Sequence, residues 1–536
     1  MNRETLSDAV FCTARPSTTA RTVIDQENHM PSSASAPALG RASVTGLPLL
    51  GASAPRDPAR AGIIHLGLGA FHRAHAAVHT ARALAAEEGD WGIIGFAHRS
   101  RAVVDPMRRQ DGLYSVLQLA DTGIRADVVD VHRGLGVMTE DPSAVIREIA
   151  DTHRRLLTLT VSEGGYHVSP RTGHLDLEAP LLREDLAAPS APRTVIGLLA
   201  RGLTERARGG EPFTVLPCDN VSAAGQTARR MVTEFLEHSG ADDDVLNYVR
   251  TQVAFPDAMV DRIVPATSAG TGDQVAELLG VRDEAPVRAE KFSMWVIEDD
   301  FPAGRPAWEL GGAIMSPEAA DVGRYEQVKL RILNGPHSLI AYLGALDGRR
   351  TIPESFDQDW IAESTLALIR GENLPTIDLP TGFDVGGYLE DLTHRWHNHD
   401  LGHRTRQVGS DGSMRLPQRI PAPALFHLEQ GRTPALLALT VAAWFACVVP
   451  PRGFEPGAQA RAMTDPAQER LVEITAGATA PAEHARALLE SGCLTTALAE
   501  HEGFVGLVGE LLTLLVTSGP RAAAAEARAA SLKENH

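Results

Sequence analysis

The segment that decides the fold is "GIIHLGLGAFHRAHAAVHTARALAAEEGDWGIIGFAHRS", residues 62–100. It begins with an apolar run at residues 63–66, passes through a glycine turn into an Ala- and Leu-rich stretch, and reaches a second apolar run at residues 92–96. Short apolar runs bounded by glycine are typical of buried strands, and the stretch between them has the composition of a helix. The segment therefore predicts a strand, helix, strand unit with a glycine turn after the first strand.

The same alternation continues through the first half of the chain. Further apolar runs, separated by helical stretches, are "LYSVLQLA" (113–120), "ADVVDVHRG" (126–134), "LLTLTVSEGG" (156–165) and "FTVLPCDN" (213–220). Strands that alternate with helices indicate a mostly parallel sheet. From about residue 290 onward the apolar spacing becomes mainly helical. We therefore predict an α/β protein, with a Rossmann-like dinucleotide-binding domain at residues 61–289 and an all-helical C-terminal domain at residues 290–536.

Residues 1–60 differ in kind from the rest of the chain. They are rich in Ser, Ala, Thr, Pro and Gly and show little sustained periodicity. Such composition buries too little apolar surface to fold alone, so we expect a disordered or loosely packed extension. It also lacks the apolar segment of a secretory signal.

The bulk composition excludes several classes of function. A formal charge of −18 argues against a general affinity for nucleic acid or for an anionic membrane surface. The longest charge-free apolar run, residues 435–449, is shorter than the roughly 20 residues that cross a bilayer, and it predicts a buried helix. The 4 cysteines, Cys12, Cys218, Cys447 and Cys493, form no CxxC pair. A reduced, cytoplasmic protein is the simplest expectation.

The glycine turn is the candidate cofactor site. Gly67 and Gly69 stand in G-x-G spacing between a predicted strand and a predicted helix, where a pyrophosphate can approach free backbone N–H groups. His72 replaces the third glycine of the usual fingerprint, so a plain glycine turn is the alternative. No acidic residue ends the second strand, and Arg99 there leaves NADP open beside NAD. The predicted cofactor contacts are Gly67, Leu68, Gly69, Ala70, Phe71, His72 and Arg99.

The candidate catalytic group is Lys329. Lysine occurs only at positions 291, 329 and 533, although Lys and Arg together number 50. A buried lysine can lose its proton and act as a base, which arginine cannot do; the alternative is an ordinary lysine. Asn334 and His337 share one helical face, with Lys329 about a third of a turn away, and we expect "GP" at 335–336 to break the helix between them. Glu326 lies on the lysine side, as a proton carrier or as an ordinary surface ion pair.

Eight motifs in the same order resemble the mannitol 2-dehydrogenase family, which includes arabinitol 4-dehydrogenase and mannonate oxidoreductase (fructuronate reductase). They are "GIIHLGLGAFHRAH", "QDGLYSV", "TVSEGGY", "LPCDN", "FPDAMVDRIVP", "FSMWVIEDDFPAGRPAWE", "YEQVKLRILNGPHS" and "DGSMRLPQR". The chain departs from the family pattern at Lys291, Met294 and Pro336.

The resemblance implies a role for each matched residue. It implies Lys329 as general base, Asn220 and Asn334 as donors to the reacting oxygen, and His337 as a residue that orients the substrate. It also implies Glu326 beside the proton path, Glu163 lining the same site and Arg395 on the substrate hydroxyls. The family is metal-independent and normally uses NAD. A polyol oxidised to a ketose, of the mannitol to fructose type, is therefore expected; D-mannonate oxidoreductase and arabinitol dehydrogenase are the alternatives.

Three rival interpretations of the sequence predict different properties. Zinc binding by His394, His397, His399 and His403 is disfavoured, because their spacing fits no common site and no cysteine is near. A hydroxyacid dehydrogenase would not be expected to carry the "CDN" and "KLRILNGPH" motifs. A catalytically silent NAD-binding sensor would bind the cofactor without turnover. The expected partner is a small polyol, ketose or uronate, and the sequence leaves monomer and homodimer open.

Overall fold

The first domain is built on a parallel sheet. A computed structural model of the chain describes residues 36–120, 123–169 and 171–534. The elements of the first domain, in chain order, are β1 (Ile63–Leu66), α1 (Ala70–Ala74), α2 (Ala76–Ala86), β2 (Ile93–Ala97), α3 (Arg101–Arg109), β3 (Tyr114–Ala120), β4 (Gly123–Val129), β5 (His132–Val137), α4 (Pro142–Ala150), β6 (Leu156–Leu159), α5 (Pro180–Ala187), α6 (Val195–Arg206), β7 (Phe213–Pro217), α7 (Ala224–His238), α8 (Asp243–Gln252), β8 (Val253–Ala254), β9 (Ala258–Asp261), α9 (Thr271–Leu279), β10 (Val287–Glu290), β11 (Met294–Glu298) and β12 (Ile314–Ser316).

Six of these strands form the central sheet, in the spatial order β5-β2-β1-β6-β7-β8. All neighbours are parallel, and Ile63 lies opposite Ile93 on one side and Leu156 on the other. The strands are buried along their length because helices cover both faces, which explains their continuous apolar runs. The order reverses between β1 and β6. In such sheets the ligand crevice opens at the carboxyl ends of the strands beside this reversal. The predicted parallel sheet is confirmed.

Two small sheets extend the first domain. One has the order β10-β3-β4 and the other the order β12-β11-β9. β11 and β12 lie beyond residue 290, where an all-helical domain was expected, and Trp295 of β11 pairs with Val260 of β9. The apolar run of β11 is too short for its periodicity to distinguish a strand from a helix. The helical domain therefore begins later than predicted, at Ala319.

The second domain is helical and surrounds one buried helix. Its elements are α10 (Ala319–Val328), a π-helical turn (Lys329–Asn334), α11 (Gly335–Leu346), α12 (Ile352–Phe356), α13 (Asp359–Ala367), a second π-helical turn (Leu368–Asn373), α14 (Val385–His397), α15 (Thr405–Gly409), α16 (Gly412–Arg419), α17 (Pro421–Leu428), α18 (Ala435–Val448), α19 (Ala458–Arg461), α20 (Gln468–Ile474), α21 (Pro481–Glu490), α22 (Thr496–Ala499), α23 (Glu502–Ser518) and α24 (Pro520–Glu534). Every residue of α18 is buried, as predicted for this apolar run. Within the described ranges, no helix is long and apolar enough to span a membrane.

Residues 36–60 pack against the first domain. The backbone N–H groups of Leu39, Leu50 and Ala54 donate to carbonyls of Arg282, Val128 and Asp130 at 2.8, 2.8 and 2.9 Å. Leu39 and Leu50 are buried. The expectation of a disordered or loosely packed segment is therefore wrong for residues 36–60, because edge hydrogen bonds and a few buried leucines compensate for the weakly apolar composition. Residues 1–35 of the predicted extension lie outside the described residues.

Candidate active site

A cleft of about 520 Å³ lies between the two domains. The first domain contributes the glycine turn after β1 and the segments that follow β6, β7 and β9, and the second domain contributes the π-helical turn after α10. The lining residues include Gly67, Gly69, Ala70, Phe71, Thr160, Asp219, Asn220, Asp261, Lys329, Asn334, His337 and His403. The cleft thus opens at the carboxyl ends of the central strands, where the sheet order predicts a ligand.

The glycine turn closely approaches the neighbouring strand end. Gly67 has a φ of +101°, and a Cβ at this position would lie 1.9 Å from the carbonyl oxygen of Thr160. Only glycine fits both requirements. Gly69 precedes α1 without a side-chain cap, and a Cβ there would meet only the Gly67 carbonyl, at 3.5 Å. The turn therefore offers free backbone next to an open space, which fits a pyrophosphate.

Two predicted cofactor contacts point away from this space. Leu68 is buried in the core of the first domain. The His72 ring stacks on His65 with centroids 3.4 Å apart, and its Nε2 lies 3.1 Å from Nε2 of His132. The side chains of Leu68 and His72 therefore do not line the cleft, and contact of these two residues with the cofactor stays a prediction. Arg99 is exposed just after β2, at the carboxyl edge of the sheet.

The π-helical turn determines which side chains of the second domain meet. We expected α-helical spacing, which would place Lys329 a third of a turn from Asn334. The backbone bonds of a π turn join residues five apart, so these two residues become neighbours and both line the cleft. α11 follows directly at Gly335, with Pro336 in its first turn. Asn334 and Gly335 both keep right-handed helical dihedral angles, so the predicted break of the helix at "GP" is wrong. π turns of this kind occur often at functional sites.

The Lys329 ammonium is held at the domain interface. Its Nζ donates to Oδ1 of Asn220 at 2.6 Å and to the carbonyl oxygen of Val260 at 2.7 Å. Burial lowers the pKa of Lys329 from its ordinary value, and the nearby Asp261 carboxylate partly opposes this effect. A neutral amine is therefore more accessible here than on the protein surface.

Glu326 shares a smaller cavity with Lys329, Asn220 and Asn334. This cavity has a volume of about 30 Å³, which is enough to hold water. Oε1 of Glu326 accepts from the backbone N–H of Ala223 at 3.2 Å. Burial raises the pKa of Glu326 to about 7. The carboxyl group can therefore change its protonation state near neutral pH.

Two histidines form another part of the cleft wall. His337 is buried, and its Nε2 has no hydrogen-bond partner among the residues that the structure describes. The ring of His403 lies 5.1 Å from that of His337, edge to face. Burial lowers the pKa of both rings, that of His403 to about 4, so both are neutral at pH 7. The sequence had placed His403 only in a rival zinc loop.

Asp219 is a cleft residue that the sequence reasoning missed. Its Oδ2 accepts from the hydroxyl of Tyr166 at 2.5 Å, and its Oδ1 accepts from the backbone N–H of Val161 at 2.6 Å. Burial raises the pKa of Asp219 to about 7. It directly precedes Asn220 in the quoted "LPCDN" motif, so its place in that motif was the available signal.

Arg395 does not lie where the resemblance implied. Its guanidinium makes hydrogen bonds of 2.8 to 2.9 Å to both carboxylate oxygens of Asp261 and to both of Glu290. All three side chains are buried. The N–H donors of Arg395 are therefore occupied by carboxylates of the protein itself, and Arg395 does not line the cleft.

Glu163, in contrast, lies near the proposed donors. It is exposed at the start of a short turn, Glu163–Tyr166, and lines a second cavity together with Asn220 and Asn334. In the described ranges, no group of three or more His, Cys, Asp or Glu side chains is placed to hold a metal ion. His397 and His399 contact Asp357 instead.

Comparisons with known proteins agree with this architecture. The Mannitol dehydrogenase Rossmann domain matches residues 61–310, and the Mannitol dehydrogenase C-terminal domain matches residues 321–512. The chain is 35% identical to D-mannonate oxidoreductase of Escherichia coli over 86% of this chain and 94% of that protein. It is 37% identical to mannitol 2-dehydrogenase of Cereibacter sphaeroides over 72% of this chain and 80% of that protein.

The solved structures support the same grouping. The ternary complex of Pseudomonas fluorescens mannitol 2-dehydrogenase with NAD and D-mannitol superposes with a TM-score of 0.78 at 30% identity, covering 91% of this chain and 99% of the other. Together with the glycine turn and the interdomain lysine, these matches lead to one conclusion: the chain is an oxidoreductase of the mannitol dehydrogenase family.

Proposed function

We propose that the protein oxidises a secondary alcohol of an open-chain polyhydroxylated substrate to a ketone, and catalyses the reverse reduction, with a nicotinamide dinucleotide. One observation carries the proposal. Lys329 Nζ is held in the interdomain cleft between Asn220 Oδ1 and the Val260 carbonyl, with Asn334 beside it on the same turn. The family match and the sheet topology support a dinucleotide in the same cleft.

Lys329 acts as the general base in this proposal. A neutral amine has two N–H groups and one lone pair. The two acceptors, Asn220 Oδ1 and the Val260 oxygen, account for both N–H groups, so the lone pair remains for the alcohol proton. Burial favours the neutral form, because desolvation disfavours the charged ammonium.

The two asparagines stabilise the developing alkoxide. Because Asn220 presents Oδ1 to Lys329, its Nδ2 is the group left to donate to the reacting oxygen. Asn334 lines the same cleft and supplies a second donor, and His337 contributes a neutral ring beside it. Donors placed where negative charge develops accelerate such steps strongly. A bound nicotinamide supplies the chemistry that remains, by accepting the hydride from the alcohol carbon.

Glu326 passes the proton from Lys329 toward solvent. The small cavity that both residues line can hold a water molecule between them. With a pKa raised to about 7, Glu326 accepts and releases a proton near neutral pH. The alternative of an ordinary surface ion pair is disfavoured. Glu326 accepts from a backbone N–H group and forms no ion pair with a cationic side chain of the described residues.

NAD is the proposed cofactor. The turn at Gly67 and Gly69 fits a pyrophosphate, and the Pseudomonas fluorescens complex contains NAD. The exposed Arg99 keeps NADP as the alternative. Comparing NADH with NADPH at equal concentration decides between them. We propose a cytoplasmic enzyme, as the cysteine usage indicates, acting as a monomer or homodimer.

Two substrate classes fit the proposal. A neutral polyol of the mannitol type is the expectation from the sequence, with arabinitol as a variant. D-Mannonate is the second candidate, favoured by the 35% identity to D-mannonate oxidoreductase over 86% of this chain. The test follows NADH absorbance with fructose, fructuronate, xylulose and tagaturonate in parallel. Turnover of at least one ketone supports the proposal, and cofactor binding without turnover of any of them favours the silent sensor.

A further inference from the structure

A second cavity adjoins the proposed reaction centre. It has a volume of about 520 Å³ and shares Asn220 and Asn334 with the cleft described above. Its remaining wall comes from the segment around Glu163 and from α16, which contributes Arg415 and Arg419. A substrate whose reacting carbon lies at the two asparagines can therefore reach these arginines with its far end.

Arg419 has unused hydrogen-bonding capacity. Its Nη1 donates to the carbonyl oxygen of Asn334 at 3.1 Å and to Oγ of Ser338 at 2.8 Å. Within the described part of the chain, no group accepts from its Nε or Nη2, and no carboxylate lies within 4 Å of it, although the charge of Glu163 acts on it from farther away. Burial lowers the pKa of Arg419 to about 10, yet the side chain stays charged at neutral pH. A charged, half-buried guanidinium without a carboxylate partner is stabilised when an anion binds to it.

Other half-buried or buried arginines of the chain show the contrast. Arg395 makes two bidentate pairs with carboxylates. Arg133 uses its nitrogens on Asp130 and on the carbonyl oxygens of Pro55 and Ala54. Arg206 donates to four backbone carbonyls. Arg419 differs from all three because its Nε and Nη2 have no acceptor in the described residues and because it lines a cavity.

Arg415 lies one helical turn before Arg419 and is weakly held. Its contacts to the carbonyl oxygens of Gln407 and Val408, and to Oδ2 of Asp411, are all 3.4 Å long. The negative groups of this cavity are Asp411, beside Arg415, and the exposed Glu163. Glu163 and Arg419 are not an ion pair within 4 Å. Arg415 can therefore turn toward a ligand without breaking a strong bond, and Arg419 can offer its Nε and Nη2 while its Nη1 keeps its two hydrogen bonds.

We propose that Arg419, assisted by Arg415, binds a carboxylate at the end of the substrate chain. The substrate is then a polyhydroxy acid: an aldonate on the alcohol side and a keto-uronate on the ketone side. A planar guanidinium fork matches a carboxylate in two parallel hydrogen bonds, whereas a terminal hydroxymethyl group offers one neutral acceptor and leaves the charge unpaired. This inference rests on the proposed function, since it assigns the far end of the substrate whose hydroxyl Lys329 deprotonates.

The test uses two ketones that differ only at the chain end. D-Fructuronate carries a carboxylate where D-fructose carries a hydroxymethyl group. We expect the wild-type protein to have the higher kcat/KM for fructuronate. Arg415→Met and Arg419→Met should each lower kcat/KM for fructuronate on the order of 10- to 100-fold, mainly through KM, because a hydrogen bond to a charged group is lost. The kcat/KM for fructose should fall by a clearly smaller factor than that for fructuronate, and Arg419→Lys should recover part of the fructuronate loss.

Arg461→Met is the matched control, because Arg461 forms an exposed ion pair with Glu455 on the same domain, outside the cavity. This substitution should leave kcat/KM unchanged for both fructuronate and fructose. Since Arg419 also supports the Asn334 carbonyl, a second measurement avoids variants altogether. D-Gluconate should compete with the substrate of the wild-type protein more tightly than D-glucitol, its neutral counterpart.

The outcomes separate this inference from the proposed function. A wild-type protein that reduces fructose at least as well as fructuronate overturns the carboxylate site while leaving the reaction intact. Equal losses on both ketones in Arg415→Met and Arg419→Met also overturn it, because they indicate only a structural role. Equal inhibition by gluconate and glucitol does the same. Failure to reduce either ketone, or any other, rejects the proposed function itself.

Discussion

Replacing Arg395 should reveal a structural clamp between the two domains. The residue lies on α14 of the helical domain, and its carboxylate partners, Asp261 on β9 and Glu290 on β10, belong to the first domain. The side chains are only 4%, 5% and 2% exposed, so solvent screens them weakly. Arg395→Met leaves two buried carboxylates without their cation.

The magnitude follows from the burial. Removing one partner of a buried ion pair costs about 3–5 kcal/mol, because an uncompensated charge remains. For domains of this size we expect the melting temperature to fall on the order of 10 °C. The loss also depends on pH. In the variant, the two carboxylates have folded-state pKa values raised above their unfolded values. Their contribution is therefore favourable at low pH and is lost as pH rises through the raised pKa, so the deficit of the variant should grow as pH rises above the ordinary pKa range of carboxyl groups.

The assay is thermal unfolding of wild type, Arg395→Met and Arg395→Lys, with Arg350→Met as the control. Arg350 is 75% exposed and lies 3.7 Å from Glu354, so its loss should change stability by less than about 1 kcal/mol. Arg395→Lys keeps the charge but not the two forks and should be intermediate. An Arg395→Met protein with wild-type melting behaviour and a raised KM would refute this reasoning and restore the substrate role implied by the family resemblance.

The remaining predictions concern the glycine turn, the proton path and a cleft thiol. Gly67→Ala should destabilise the protein by about 1–3 kcal/mol or more, because the positive φ of Gly67 and the Thr160 carbonyl both oppose a Cβ. Gly69→Ala should keep the stability of the wild type and weaken NADH binding on the order of tenfold. The reverse pattern would contradict this assignment. In the wild type, the rate of alcohol oxidation should rise with pH through about 7 as Glu326 ionises. Glu326→Gln should slow oxidation on the order of tenfold and abolish this rise in rate near pH 7. An unchanged pH profile in the variant would exclude Glu326 from the proton path. Burial raises the pKa of the Cys218 thiol well above its usual range, so iodoacetamide at pH 8 should label it only after unfolding, and labelling of the native protein would show that the cleft is more open than described.

Local sequence pattern identified the elements whose signal is local. The apolar runs at residues 63–66 and 156–159 became neighbouring parallel strands, and the glycine turn between β1 and α1 took the predicted place. These features depend on residues within one strand, helix, strand unit. Their periodicity and turn chemistry are visible in a short window of sequence.

The errors arose where the decisive partner is remote. Arg395 forms hydrogen bonds with carboxylates that lie 134 and 105 residues away in the sequence, and the ring of His72 contacts a histidine 60 residues away. No local sequence pattern predicts either contact. The π-helical turn is likewise invisible in apolar spacing, although it makes Lys329 and Asn334 neighbours. The family resemblance assigned Asn220 and Lys329 to the same reacting group, as oxygen donor and general base, and the structure brings them within 2.6 Å although they are 109 residues apart.

The most direct test of the account is chemical rescue of Lys329→Ala. Alcohol oxidation by this variant should fall on the order of 10²- to 10⁴-fold while NADH affinity stays at the wild-type value, because the base is lost and the cofactor turn is not. Small primary amines should restore the rate in proportion to the concentration of their free base, and Lys329→Arg should remain as inactive as Lys329→Ala. Wild-type oxidation rates in either variant would contradict the assignment of Lys329 as the base.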